Sequence, residues 1–283
     1  MILVTGATGT IGSELVRLLA ARGERVRVMT REPSRADVPD GVDVVRGDFE
    51  EPDSLERSLA GAAALFLLSA PGPALPRHDL AMLGAAGAAG VRRVVKLSAF
   101  GAGDPDSARV GAWHRPGERA VRGSGLAWTL LRPSGFASNT LAWAERIRAG
   151  EPVPNTTLDG AMGIVDPRDV AAVAVEALVT SGHEGAVLTL TGPEPLSVPE
   201  QAARLGAVLG RRVATVDVPL DAAREQLLGA GTDPAFVDVV IDGREFVRSG
   251  RGAVLTGDVE RALGRPPRGF DAWARDHRDA FAG

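Results

Sequence analysis

Cysteine and tyrosine are both absent from the 283-residue chain, and only one of its 32 basic residues, Lys96, is a lysine. Without cysteine there is no disulfide, no thiolate metal site and no cysteine nucleophile. Without tyrosine no mechanism can draw on a phenolic proton donor. An excess of positive charge is missing too. The net charge is −4, and the arginines are interleaved with Asp and Glu as on a solvated face, which argues against nucleic-acid binding. The longest apolar runs, 60–71 and 80–91, are shorter than a bilayer span and broken by Gly or Pro. No basic, then apolar, leader precedes the Gly-rich turn at residue 6. These absences point to a soluble, cytoplasmic protein with no membrane partner. No His, Asp and Glu spacing suggests a metal.

What is present is an alternation of apolar strands and amphipathic helices through residue 133. Short apolar runs at 2–4, 26–30, 42–45, 64–68, 94–97 and 128–131 alternate with helical spacing after residue 10 and at 52–60, 77–89 and 112–122. This rhythm predicts an α/β fold with a doubly wound parallel sheet covered on both faces. Beyond Arg132-Pro133 the rhythm changes. Helices are expected at 137–149, at 166–180 with Asp166 as N-cap and Pro167 in its first turn, and from Ser197 to Gly210. Strands are expected at 187–190 and 213–218, and 221–281 reads as mainly helical. The expected division is a cofactor domain over 1–150 and a smaller, mainly helical substrate lobe over 151–283 that shares some strands with it.

The main motif lies between the first strand and the first helix: Gly6-Ala7-Thr8-Gly9-Thr10-Ile11-Gly12. Gly6 permits a tight turn, Gly9 lets the backbone approach a pyrophosphate, and Gly12 allows close helix–strand packing. The free N–H groups of the helix then face the phosphates. The end of the second strand reads Thr30-Arg31-Glu32, with Arg35 in reach. Arg31 and Arg35 in this place favour the 2′-phosphate of NADP(H) over NAD(H), with Glu32 as the competing acid. Asp48 and Phe49 follow the third strand, where they either flank an adenine or form a turn. Ser69 and Ala70 follow the fourth strand, where small residues let a loop pass close to a ribose.

The segments VTGATGTIG, VRVMTR, VVRGDFE, VVKLSAFGA, GLAWTLLRPSGFASN, DPRDVA, LTLTGPEPLSVPE and ALGRPPRGFDAWARDH resemble NmrA-like proteins, atypical members of the short-chain dehydrogenase/reductase superfamily. The resemblance covers nearly the whole chain in order. It implies a Rossmann-type domain with a small C-terminal lobe, and a reductase of quinones, dyes or other small molecules. The wider superfamily places a Tyr-x-x-x-Lys pair, then a Glu, on the helix after strand five. Here Val110 stands at the Tyr position, His114 at the Lys position and Glu118 at the Glu position. Ser98 matches the superfamily's active-site Ser, and Lys96, two residues earlier, shares its face of the strand. Lys96 either serves cofactor and catalysis or pairs with a carboxylate. His114 is either an acid or a packed helix residue. Pro133 and Phe136 are implied to pass the nicotinamide. Phe100, Trp113, Asn139 and Trp143 would line the substrate cleft, suiting a flat or apolar small molecule, unless the aromatics are core residues.

These features predict an NAD(P)H-dependent reductase of a small carbonyl, quinone, enone or imine. The rival readings are an NADP(H)-binding regulator without turnover and a non-redox cyclase or isomerase. Oligomeric state is left open.

Overall fold

A computed structural model describes residues 1–104 and 109–282. Up to residue 133 the elements are β1 (Ile2–Val4), α1 (Thr10–Ala21), β2 (Val26–Thr30), β3 (Asp43–Arg46), α2 (Pro52–Leu59), β4 (Ala64–Leu67), α3 (Leu75–Ala88), β5 (Arg93–Leu97), α4 (Arg109–Arg122) and β6 (Ala127–Pro133). A 3₁₀ segment, Ala137–Trp143, then leads into α5 (Ala144–Arg148), β7 (Val153–Asn155), β8 (Ala161–Gly163), α6 (Pro167–Val179) and β9 (Ala186–Leu190). The chain ends with β10 (Pro195–Ser197), α7 (Val198–Leu209), β11 (Thr215–Asp217), α8 (Leu220–Gly229), α9 (Pro234–Arg248), α10 (Asp258–Leu263), α11 (Phe270–Asp276) and α12 (Arg278–Phe281).

Seven strands form one sheet in the order β3-β2-β1-β4-β5-β6-β9, and the β1–β2, β1–β4, β2–β3, β4–β5 and β5–β6 pairs are parallel. Strand order reverses between β1 and β4. In open α/β sheets this reversal opens the crevice in which ligands bind, at the carboxyl ends of the strands. The glycine turn after β1 and the Leu68–Ser69 segment after β4 lie at that point. Continuous apolar strands such as Ala64–Leu67, buried at every residue, are what a sheet covered on both faces requires.

Two compact units emerge. The first comprises Met1–Pro105, Gly111–Arg132 and Val170–Thr189, and the second includes Pro133–Asp169 and Leu190–Gly283. The two units interleave along the chain, because most of α6 and β9 belong to the first unit. The first unit's core gathers Leu3, Leu55, Leu59, Leu65, Leu67, Met82 and Leu130. The second has its own core of Ile147, Val153, Leu205, Phe270, Trp273 and Phe281.

Several expectations change in detail. The helix expected at 137–149 opens as a seven-residue 3₁₀ segment and is α-helical only over Ala144–Arg148. The strand expected at 213–218 shrinks to Thr215–Asp217, paired in parallel with β7. Strands β7, β8 and β10 have three residues each and no readable period. Helix α7 starts as expected: Ser197 and Glu200 form a reciprocal capping box, and Gly210 closes the helix with φ +70°.

Candidate functional site

The glycine turn brings backbone close to backbone at the start of α1. Gly6 has φ +64°, and a Cβ there would lie 2.8 Å from Leu68. A Cβ on Gly12 would overlap the Gly6 carbonyl, so backbone packs on backbone at that point. Helix α1 begins after Gly9, with no side-chain cap and no acidic residue in its first turn. Thr8, Gly9 and Thr10 are exposed while Ile11 and Gly12 are buried. The unpartnered N–H groups and the positive end of the helix dipole thus face outward. Thr5 braces the turn from below: its Oγ1 donates to Leu68 O at 3.0 Å and accepts from Leu68 N at 2.8 Å. This donor set and its close approach fit a dinucleotide pyrophosphate.

At the end of β2, Arg31 is exposed and Arg35 pairs with Glu32 at 3.0 Å. After β3, Asp48 closes an Asx turn by accepting from Glu50 N at 3.0 Å. The Phe49 ring stacks on His78, with centroids 5.1 Å apart and planes 13° apart. His78 is in turn held in place by Glu50 at 2.7 Å. Ala70 is exposed, whereas Ser69 is buried.

Lys96, Ser98 and His114 come together in a buried polar network with Ser69, Asp79 and Glu118. Lys96 and Asp79 are both fully buried, with Nζ 2.5 Å from Oδ2. The Ser69 hydroxyl donates to Asp79 Oδ1 at 2.8 Å. A Cβ on Gly117 of α4 would overlap the Asp79 carboxylate and reach Lys96 Cε at 2.9 Å, so that helix turn passes tightly over the pair. Ser98 donates to Glu118 Oε1 at 2.6 Å, and Arg132 grips the same carboxylate with Nε and NH2 at 2.8 and 2.5 Å.

Burial pushes the Lys96 ammonium below its usual pKa, while the Asp79 carboxylate pulls the other way. Burial would raise the Glu118 carboxyl, but the bonds from Arg132 and Ser98 outweigh it and hold it below the usual range. Burial, reinforced by the Lys96 charge, pushes His114 down to about 3. The imidazole is therefore neutral near pH 7, and its Nδ1 has no hydrogen-bond partner among the described residues.

Pro133 ends β6. Ser134 then donates from N to Leu190 O at 3.0 Å and from Oγ to Gly163 O, and Phe136 bridges to Val165. Trp143 packs on the second unit's core, Asn139 is exposed, and Phe100 and Trp113 are half-buried. Val110 lies in α4, but its side chain is outside the described residues.

Asp79 and Glu118 carry signals that a helical count reveals. Asp79 lies on the buried stripe Leu75, Asp79, Met82, Leu83, Ala86 of α3. Likewise, His114, Glu118 and Val121 form one buried face of α4. An acid on such a stripe needs a buried cation or donor as its partner.

Comparison with known proteins places this geometry. Residues 6–181 match the family described as NAD(P)H-binding. A Streptomyces griseus protein named (4-alkanoyl-5-oxo-2,5-dihydrofuran-3-yl)methyl phosphate reductase is 42% identical over 284 residues, covering 100% of this chain and 99% of the relative. An NAD(P)H azoreductase of Xenophilus azovorans is 34% identical over 99% of both chains. The crystal structure of an Escherichia coli NADPH-dependent quinone oxidoreductase complexed with NADPH shares the fold, with a TM-score of 0.87 and 24% identity over 98% of this chain and 99% of that one. The chain belongs to the NAD(P)H-binding family, as its glycine turn implies.

Proposed function

We propose that this chain, an NAD(P)H-dependent reductase, transfers hydride from NADPH to a small acceptor in which a C=C, C=N or N=N bond, or a quinone, is conjugated with electron-withdrawing groups. The reductase reading is supported by full-length relatives that act on an unsaturated lactone and on azo compounds. The observation that carries the acceptor class is the state of the candidate acids. The Ser98 proton is directed at an ionised Glu118, Lys96 is bound to Asp79, His114 is neutral, and the chain has no tyrosine. Hydride addition to an isolated ketone makes a localised, strongly basic alkoxide that needs a proton in the same step. Addition to a conjugated acceptor makes a delocalised anion that needs stabilising charge, with protonation from water afterwards.

The cofactor supplies the hydride when bound. Gly6, Thr8, Gly9, Thr10, Ile11 and Gly12 would hold its pyrophosphate, and Arg31 and Arg35 the 2′-phosphate. Asp48 and Phe49 would flank the adenine, with Ser69, Ala70, Pro133 and Phe136 along the ribose and nicotinamide. We assign Lys96, Ser98 and His114 to the electrostatics of the acceptor end. Phe100, Trp113, Asn139 and Trp143 are proposed as substrate contacts.

The test is NADPH oxidation by purified protein against quinones, acyl butenolides, azo dyes and unconjugated ketones. Conjugated acceptors are expected to turn over and plain ketones are not. Equal rates on both classes would sink the acceptor assignment. Ser98→Ala and His114→Gln are expected to lower kcat/KM on the best acceptor by about tenfold, within the usual range for positioned polar groups. Unchanged rates in both variants would remove these residues from the site.

A further inference from the structure

The bonds around Ser98 fix where its one proton lies. Its Oγ stands 2.6 Å from Glu118 Oε1, and both residues are buried. The direction of that bond follows from charge. Arg132 grips both oxygens of Glu118, with Nε 2.8 Å from Oε1 and NH2 2.5 Å from Oε2, and Arg122 adds NH1 at 3.3 Å. Two guanidinium groups on one buried carboxylate keep it ionised, and an ionised carboxylate only accepts. Ser98 is therefore the donor. The clamp is braced in turn: a Cβ on Gly103, in the loop after β5, would lie 2.5 Å from Arg132 NH1, so that loop passes directly over the guanidinium.

A hydroxyl has one proton and two lone pairs. With the proton committed to Glu118, Ser98 has only lone pairs to offer, and among the described residues its Oγ accepts no hydrogen bond. The Glu118 charge beyond the O–H bond polarises the oxygen and strengthens it as an acceptor. Ser98 also stands where a ligand reaches it. It lies one residue past the end of β5, at the carboxyl edge of the sheet, and 4% of its surface stays open. Strands β1, β4 and β5 run parallel, so the glycine turn after β1 lies at the same edge of the same unit. A ligand carbonyl or oxyanion brought to Ser98 would meet a lone pair. A ligand N–H or O–H would meet a strong acceptor.

We propose that Glu118 is a positioning residue that holds Ser98 as a hydrogen-bond acceptor, so that this position selects ligands presenting an N–H or O–H donor. The proposal rests on the reductase reading above and deepens it. Two ligands can bring such a donor: the hydride acceptor, through an N–H or O–H beside its conjugated system, and the cofactor, through its carboxamide N–H. Glu118 touches neither. Both its oxygens are already bonded and it is 1% exposed, so it acts through the Ser98 hydroxyl.

The experiment has two arms, each a pair of compounds that differ in the donor. In the first, NADPH reduces naphthoquinones carrying a methylamino or a dimethylamino group beside the carbonyl. In the second, NADPH is compared with its acetylpyridine analogue, in which a methyl ketone replaces the carboxamide. The ratio of kcat/KM, donor over donor-free, is measured in wild type, Ser98→Ala and Glu118→Gln, with Ser98→Ala as the baseline for intrinsic reactivity. In one arm the wild-type ratio is expected to exceed that baseline by about 3- to 10-fold, the range of one net hydrogen bond. The arm that responds names the ligand that brings the donor. Glu118→Gln should bring the ratio to the baseline or below, because the amide N–H donates to Ser98 and frees its proton. Loss of a merely structural bond would slow both members of a pair alike and leave the ratios unchanged. Equal ratios in wild type and Ser98→Ala in both arms therefore overturn the proposal, and a wild-type ratio in Glu118→Gln overturns the role of Glu118. If Glu118→Gln does not fold, proton NMR of the wild type with NADP⁺ bound takes its place. A downfield, slowly exchanging hydroxyl resonance that Ser98→Ala lacks is expected, and its absence from wild type overturns the same role. Kd ratios for the same pairs need no turnover. If they differ between wild type and Ser98→Ala while no acceptor is reduced, the reductase reading fails and the Ser98 assignment stands.

Discussion

At the scale of single residues, the buried Lys96–Asp79 pair has the sharpest consequences. Removing one partner of such a pair leaves a naked buried charge, which typically costs about 3–5 kcal/mol. Asp79→Asn should therefore lower stability by that order. The double variant Asp79→Asn with Lys96→Met, which removes the charge from both partners, should recover much of the loss. Denaturant midpoints of wild type, Asp79→Asn, Lys96→Met and the double variant check this; additive losses would show that the two groups do not act as a pair. His114 makes a pH prediction. Its folded pKa of about 3 lies below the ordinary value of 6.5, so between these limits the unfolded chain binds the proton and the native chain does not. Stability therefore rises with pH across that window and falls on acidification, by up to ~1.4 kcal/mol per pH unit from this group. Comparing wild type with His114→Gln isolates the effect: the slope between pH 6.5 and 4 should flatten in the variant. Arg31 is exposed, so its loss should leave stability alone. Arg31→Ala should raise Kd for NADPH by about tenfold or more and leave NADH nearly unchanged, consistent with loss of a charge-assisted phosphate contact. Equal weakening of both cofactors in a fluorescence titration would reassign the 2′-phosphate contact.

At the scale of elements, the β1–α1 turn joins local chemistry to packing. Gly12 is where the helix start meets the Gly6 backbone, so Gly12→Ala must push the two apart. Overpacking of this kind costs about 1–3 kcal/mol, and here it also moves the N–H groups proposed to hold the pyrophosphate. Weaker NADPH binding and a lower melting temperature should therefore appear together. An unchanged Kd would show that the turn is not the phosphate site. Element identity was legible in the sequence wherever period or punctuation was strong. The run Ile2–Val4, the stripe of α1, the Asp166 start of α6 (Asp166 Oδ1 accepts from Arg168 N at 2.8 Å) and the Ser197/Glu200 box of α7 all carried such signals. Strands β7, β8 and β10 carried none. Three residues hold no pattern, and β7 becomes a strand only because β11 arrives from 62 residues away.

At the scale of the whole molecule, the cofactor should act as part of the fold. A ligand that binds only the native state stabilises it by RT ln(1 + [L]/Kd), about 2.7 kcal/mol at a hundredfold excess over Kd. NADP⁺ should raise the melting temperature accordingly and slow amide exchange at residues 10–12, where α1 leaves its N–H groups open. NAD⁺ at the same concentration should do less. Exchange at those amides unaffected by saturating NADP⁺ would place the cofactor elsewhere. Two separate cores, one around Leu65 and Leu67 and one around Phe270 and Trp273, allow these measurements to be made unit by unit.

By itself the sequence determined the α/β class, the glycine turn after β1 and the absence of a phenolic acid, because each depends on neighbours within a few residues or on composition. Only the tertiary structure decided what Lys96 and Ser98 are bonded to, and that His114 is buried beside them. Their partners Asp79 and Glu118 lie 17 and 20 residues from Lys96 and Ser98, on separate helices, and no local pattern links them. The energetic reason is burial. In water an ammonium and a carboxylate barely sense one another, whereas in the interior each must find its counter-charge. The network therefore exists only once α3 and α4 have closed over β5.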